Sequence, residues 1–427
     1  MQAYNPGKHE PSALFRWTVL VWVSLAMFGN YYVYDSISPL ADLLATQLNF
    51  SDADIGKLNA IYSIPNIFMV LIGGIIIDRL GPRKSAFIFS LLCMLGAVLT
   101  AILPNLTVML IGRLVFGLGA ESLIVAVTTV IARWFKGKEL SFAFGLNLTI
   151  ARLGSFAALN SPGWAKMVYD NWQGPLIIAV FAAVISVISV IFYWALDVRA
   201  EKRYTLGSFE EPDKIEIRQI FKFNASFWLI TMLCVTFYSA IFPFQTFAVK
   251  FFIQVHGVSR EFGGFLSSLL TLFAMIFTPL FGLLADRIGK RSLLMMFGSV
   301  LLIPVYLMMV YTNIHLLVPM AIMGIAFSLI PAVMWPSVAL IVDEKNLGTA
   351  YGLMTMIQNI GLAGFNLLIG WANDFSGGYT LGMWIFSILG FLGLLFAYLL
   401  RRNERSNKGH GLEKGIKDYK EMVSQSS

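Results

Sequence analysis

About twelve apolar stretches, each close to the roughly 20 residues that an α-helix needs to cross a hydrocarbon layer, follow one another with only short polar connections between them. They lie near 17–45, 57–77, 85–104, 108–133, 140–160 and 175–197, then 226–252, 262–284, 292–311, 316–342, 348–372 and 380–400. A soluble domain carries about a quarter of its residues as charges, whereas here the fraction is 13% and the mean hydropathy is +0.73. The solvent of such a chain is a lipid bilayer. None of the stretches shows the alternation of a barrel strand, so the expected class is an all-α membrane protein with twelve transmembrane helices. The first stretch starts after Arg16 but runs past Tyr34 without a small-residue cleavage site, and is read as a span, not a signal peptide.

The basic residues orient the spans. All but six of the 31 Lys and Arg residues fall in the N-terminus, in the loops after spans 2, 4, 6, 8 and 10, and in the C-terminal tail. That side is expected to be cytoplasmic, with both termini on it. The six others are Lys57, Arg113, Arg152, Lys166, Lys250 and Arg260, of which Arg113 and Arg152 sit well inside spans. The net charge of +7 is thus a topology signal and implies no nucleic-acid partner. Cys93 and Cys234 lie inside apolar spans, and His9, His256, His315 and His410 lie in tails or at span ends. No metal site, cofactor motif or nucleophile–base set stands out, so an enzyme is not expected.

A motif of the form G-x-x-x-D-R-x-G occurs twice, at Gly74, Asp78, Arg79 and Gly81 and again at Gly282, Asp286, Arg287 and Gly289, each residue 208 positions from its counterpart. Similar offsets relate Pro39 to Pro243 and Gly145 to Gly352. Two parallel repeats of six spans are the arrangement of the major facilitator fold, whose halves rock about a midplane site. The expected organisation is an N-terminal half over 1–197, a cytoplasmic linker over 198–225 with one amphipathic helix, a C-terminal half over 226–400 and a mobile cytoplasmic tail over 401–427. In the motif, glycine lets helices approach closely and a carboxylate at a helix end faces a neighbouring N-terminal dipole. Arg79, Arg83 and Lys84, or Arg287, Lys290 and Arg291, are then expected to pair with carboxylates across the cytoplasmic seam as a gate. Arg113, beside the seam-side glycines, is read as structural or gating.

Polar residues inside spans need a wet cavity or a partner, because an ionised side chain at the bilayer centre costs at least about 2.5 kcal/mol. Span 1 carries Asn30, Tyr31, Tyr32, Tyr34 and Asp35; span 4 carries Glu121; span 5 carries Asn147 and Arg152. Arg152 offers a fork for a carboxylate, and Glu121 with Asp35 offers negative charge for an ammonium, a set that suits a zwitterion. The plainer reading is an Arg152–Glu121 salt bridge that only holds the first half together. The second half supplies Tyr238, Phe242 and Gln245, then Trp335, Gln358 and Asn359. Asn359 stands 207 positions after Arg152, so the charge is confined to one half. Each aromatic taken alone is better explained by core or interface packing.

Several runs resemble the lysosomal dipeptide transporter branch of the major facilitator superfamily and its bacterial relatives. They are Tyr34 with Asp35, Gly112 to Leu123, Trp134 to Leu140, Phe144 to Ser155, Phe242 to Phe244, Trp335 with Pro336, and Leu347 to Gly352, with Arg152 31 residues after Glu121. The resemblance implies passive or weakly coupled movement of dipeptides by alternating access, with Arg152 on the peptide carboxylate and Glu121 and its neighbours on the amino end. For the eukaryotic relatives it implies an accessory luminal glycoprotein, a partner that this sequence neither names nor excludes. The sequence lacks an acidic dileucine signal near its N-terminus and has short outer loops, so a bacterial inner membrane is expected ahead of a lysosomal one. Competing readings are an organic anion or siderophore carrier, with or without proton coupling through Glu121 or Asp35, and a transporter-like receptor or assembly partner that moves nothing.

Overall fold

The computed structural model describes residues 11–135, 139–204, 223–343, 346–405 and 409–414. The expected amphipathic helix of the linker and the centre of the Trp134 to Leu140 run lie outside the described residues. Fourteen α-helices follow one another among the described residues: α1 Ala13–Asp35, α2 Ala41–Leu48, α3 Asp52–Leu80, α4 Pro82–Ile102, α5 Leu106–Phe135, α6 Leu140–Leu159, α7 Ser161–Trp164, α8 Gln173–Arg203, α9 Ala225–His256, α10 Arg260–Ile288, α11 Arg291–Tyr311, α12 Leu317–Ile341, α13 Leu347–Ser376 and α14 Thr380–Glu404. Among the described residues, eleven segments are long and apolar enough to span a bilayer, and the bent helix α3, taken as one span, makes a twelfth. The protein is a multi-pass integral membrane protein.

The chain is a pseudo-repeat in its packing as well as in its motifs. Helix α1 packs on α8 as α9 packs on α14, α4 on α5 as α11 on α12, and α4 on α8 as α11 on α14. Between α4 and α5 the approach is backbone to backbone: a Cβ placed on Gly112 would come within 2.6 Å of the Thr100 nitrogen, so only glycine admits this contact. Two compact units emerge. Among the described residues, one comprises those up to 37, in 68–158 and in 167–204, and the other those in 38–67, in 159–166 and from 223 on.

Span 1 differs from expectation, because it is not one helix. Helix α1 stops at Asp35, residues Ser38–Leu40 form a 3₁₀ turn, and α2 resumes at Ala41. Pro39 has no N–H to give to the carbonyl four residues earlier, which ends the ladder. Beside the break, the carbonyls of Val33 and Tyr34 accept from Arg113 of α5, whose Nη1 and Nη2 donate at 3.2 and 3.3 Å, and that of Val33 also accepts from the Ser36 hydroxyl and N–H. Arg113 is 1% exposed and its guanidinium also lies 5.3 Å from the Phe116 ring centre. A buried cation here satisfies backbone groups that lipid could not.

The final glycine of each repeated motif is needed by the backbone. Gly81 sits at φ 79° and ψ 154° and Gly289 at φ 65° and ψ −134°, where a side chain is strained. Gly81→Ala or Gly289→Ala is expected to lower stability by about 1–3 kcal/mol. Thermal melting of the purified protein checks this, and an unchanged midpoint for both variants would contradict the strain argument.

Candidate functional site

Within the first unit, the candidate residues of spans 1, 4 and 5 gather around the end of α1. Arg152, Glu121 and Asp35 all act electrostatically on Tyr31, which therefore stands among one cation and two acids. Asp35 is hydrogen-bonded by the Ser155 hydroxyl and has Arg113 and Arg152 as its cationic neighbours. Glu121, half-buried on α5, is also a charged neighbour of Tyr34. Arg113 lies 6.0 Å from the Tyr34 ring centre as it holds that residue's carbonyl. Asn147 stands on the same helix as Arg152 and accepts a hydrogen bond from the buried Ser24 of α1 at 3.1 Å. The end of a broken helix thus collects acids, a tyrosine and a fork-shaped cation in a low-dielectric setting.

In the second unit, Trp335 donates its indole N–H to the Tyr238 hydroxyl at 3.0 Å, and the Tyr351 hydroxyl donates to the Trp335 carbonyl at 3.1 Å. The Tyr238 ring stacks on Phe242, 5.6 Å between centres and 6° between planes. Gln358 accepts from the Cys234 thiol at 3.6 Å, which brings α13 against α9. Asn359 is buried and turns its amide back to the Thr355 carbonyl of its own helix. Gln245 is also buried, and its carbonyl accepts from the Ser38 hydroxyl. Tyr238 and Trp335 therefore belong to one aromatic group, Gln358 meets the helix that carries Tyr238, and Asn359 and Gln245 are engaged in backbone contacts.

Two of the loop arginines bind carboxylates within their own unit. Arg83 binds Asp197 at 2.5 Å and Glu201 at 2.6 Å, both on α8 of its own half. Arg133 and the Trp134 indole complete the shell around the fully buried Asp197. Arg291 binds Asp286 of its own loop at 2.6 Å. Asp78, Arg79 and Arg287 are exposed. Among the described residues nothing lies within 4 Å of a Cβ placed on Gly74 or Gly282.

Sequence reasoning missed a second polar assembly, at the opposite ends of the spans and wholly within the second unit. Asp52 pairs with Lys250 and accepts from Asn373 at 2.9 Å, all three buried. Asp374 caps α3 by accepting from the backbone N–H groups of Asp52 and Ala53 at 2.9 and 2.8 Å. Arg260 forks onto Asp42, its closer contact being 2.5 Å. One helical stretch further in, Asn59 donates to Thr246 and Thr246 donates to Asn366. The signal was present as a seven-residue spacing of Asn359, Asn366 and Asn373, which marks one face of α13.

With this geometry in place, comparison with known proteins is decisive for the family. The sequence matches the Major Facilitator Superfamily over residues 23–263 and 244–425. The chain belongs to the major facilitator superfamily. This facilitator chain is 34% identical over 389 residues to the zebrafish (Danio rerio) protein named lysosomal dipeptide transporter MFSD1, covering 87% of this chain and 84% of that one. The human protein of the same name is 32% identical over 418 residues, covering 94% and 90%. Among solved structures, a bacterial homolog of the human lysosomal transporter Spinster, inward-facing and unoccupied, superposes with a TM-score of 0.76 at 16% identity, covering 92% of this chain and 98% of that one. Like other major facilitators, this protein is a membrane transporter of a small molecule and not an enzyme.

Proposed function

We propose that this facilitator moves dipeptides or similar small zwitterionic amino-acid derivatives by alternating access, as a uniporter. The observation that carries the proposal is the convergence of Arg152, Glu121 and Asp35 on Tyr31. A dipeptide presents a carboxylate and an ammonium, and a site that holds a forked cation beside acids suits both. In this reading Arg152 takes the carboxylate, Glu121 and Asp35 take the ammonium, Tyr34 and Asn147 border them, and Tyr238, Gln245, Trp335, Gln358 and Asn359 serve as further substrate contacts. The relatives named as dipeptide transporters support the substrate class.

The working halves are proposed as 1–197 and 226–400, joined by 198–225. Both termini are proposed to be cytoplasmic on the strength of the basic loops. The membrane is a separate proposal: short outer connections favour a bacterial inner membrane, whereas the matched transporters carry lysosomal names. Fractionation of the native host decides between them.

Thermal melting with a panel of ligands tests the substrate class. A ligand that binds only the folded state stabilises it by about 2.7 kcal/mol at a hundred times its dissociation constant. Dipeptides are expected to raise the midpoint, while their constituent amino acids and simple monocarboxylates leave it within error. Stabilisation by monocarboxylates alone would instead support an organic anion carrier. For the uniport proposal, a pH gradient across proteoliposomes is expected to produce no accumulation above equilibrium.

A further inference from the structure

The C-terminal tail, expected to be mobile, is docked over residues 409–414. Leu412 is completely buried. Its carbonyl accepts from the Arg291 N–H at 3.0 Å and the Glu413 carbonyl accepts from the Lys290 N–H at 3.3 Å. The Glu413 carboxylate receives the Ser292 hydroxyl. These are the first residues of α11, which has no side-chain cap of its own. The tail therefore supplies the acceptors that a helix N-terminus lacks. On its other side the tail holds Glu404, the last residue of α14, whose carboxylate accepts the His410 backbone N–H at 2.7 Å and lies 2.8 Å from His410 Nδ1. Ser226 of α9 donates to the same carboxylate at 2.5 Å, and Asn224 meets His410 Nε2 at 3.0 Å.

The repeat shows what this segment replaces. Glu404 stands 207 positions after Asp197, and Arg291 stands 208 after Arg83. In the first half those counterparts bond directly, so the motif loop is tied to its last helix by an arginine–carboxylate bridge. In the second half the corresponding carboxylate faces the tail instead, and the corresponding arginine turns to Asp286. The first half also begins α4 with Pro82, which has no N–H to satisfy, whereas α11 begins with residues whose N–H groups need acceptors. Both differences are made good by the same six residues.

We propose that residues 409–414 form a positioning strap that ties the second motif loop to α14, standing in for the direct arginine–carboxylate bond of the first half. The strap fixes the backbone of Arg291 and so the geometry of its pair with Asp286. Its loss loosens the Gly282–Gly289 loop and leaves the Gly74–Gly81 loop untouched.

The paired loops provide their own control. Leu80 and Ile288 are repeat counterparts, each 45% exposed, while Cys93 and Cys234 are buried. Leu80→Cys and Ile288→Cys are made separately in the full chain, and labelling by a maleimide is timed in proteoliposomes with and without Leu412→Asp. The expected result is that Leu412→Asp speeds labelling at Ile288→Cys at least about fivefold and changes Leu80→Cys by less than about a factor of two, as local opening confined to one segment does. Leu412→Met, which keeps an apolar plug, is expected to behave as the parent. An unchanged rate at Ile288→Cys overturns the proposal. So does an equal rise at both positions, which is general loosening. If Leu412→Asp fails to insert, His410→Ala removes the strap's side-chain contacts with Glu404 and Asn224 without burying a charge and is judged by the same contrast.

Discussion

Dipeptide uptake by proteoliposomes carrying Arg152→Ala is expected to fall about a hundredfold, with the protein still inserted and folded. A hydrogen bond to a charged group contributes about 1.5–3 kcal/mol, and a guanidinium fork makes two at once, so loss near 3 kcal/mol in the transport-competent complex is the natural scale. Folding should survive, because Asp35 retains the Ser155 hydroxyl and the Arg113 charge after Arg152 is gone. Arg152→Lys keeps the charge but not the fork and is expected to fall between the parent and the alanine variant. The check is initial uptake rate normalised to inserted protein. Full uptake by well-inserted Arg152→Ala would sink the carboxylate role and leave Arg152 as a neighbour that only balances Asp35.

Lys250→Ala is expected to have the largest effect on stability. Lys250 and Asp52 are both buried, and removing one member of such a pair strands the other, at a cost of about 3–5 kcal/mol. Among the described residues, Asp52 would keep only the Asn373 amide as a side-chain partner. The double variant Asp52→Leu with Lys250→Met removes both charges and is expected to recover most of the loss, since apolar replacement of a buried pair is often close to neutral. Thermal and denaturant melting of the three proteins forms the cycle. An unaltered midpoint in Lys250→Ala would mean that the pair adds nothing to the unit that contains it.

The spans and their duplication were legible because lipid imposes a length and a composition on every crossing, and because the two motifs keep their spacing over 208 residues. The break after Asp35 was not. Proline is no guide inside these spans, since Pro65, Pro243, Pro279, Pro304, Pro331 and Pro336 all sit within continuous helices. What distinguishes Pro39 is a guanidinium on another helix, and no local pattern reveals that. The charged residues of the first-half site were visible as costly groups in apolar surroundings, but Tyr31, to which they all relate, reads as one aromatic among many. The partners of Lys250 and Arg260 were hidden because each lies some two hundred residues away in sequence. The strap was hidden for a different reason: one leucine in a polar tail carries no periodicity.

The capped end of α1 also bears on how this protein is made. The carbonyl of Tyr34 accepts from a residue 79 positions downstream, and that of Val33 accepts from the same residue, 80 positions downstream, as well as from Ser36. When the first span leaves the ribosome, its broken centre has no guanidinium to complete it. That span has a mean hydropathy of 1.3, against 2.1 for the one that brings Arg113. The Tyr34 carbonyl therefore gains this partner only once α5 is in place.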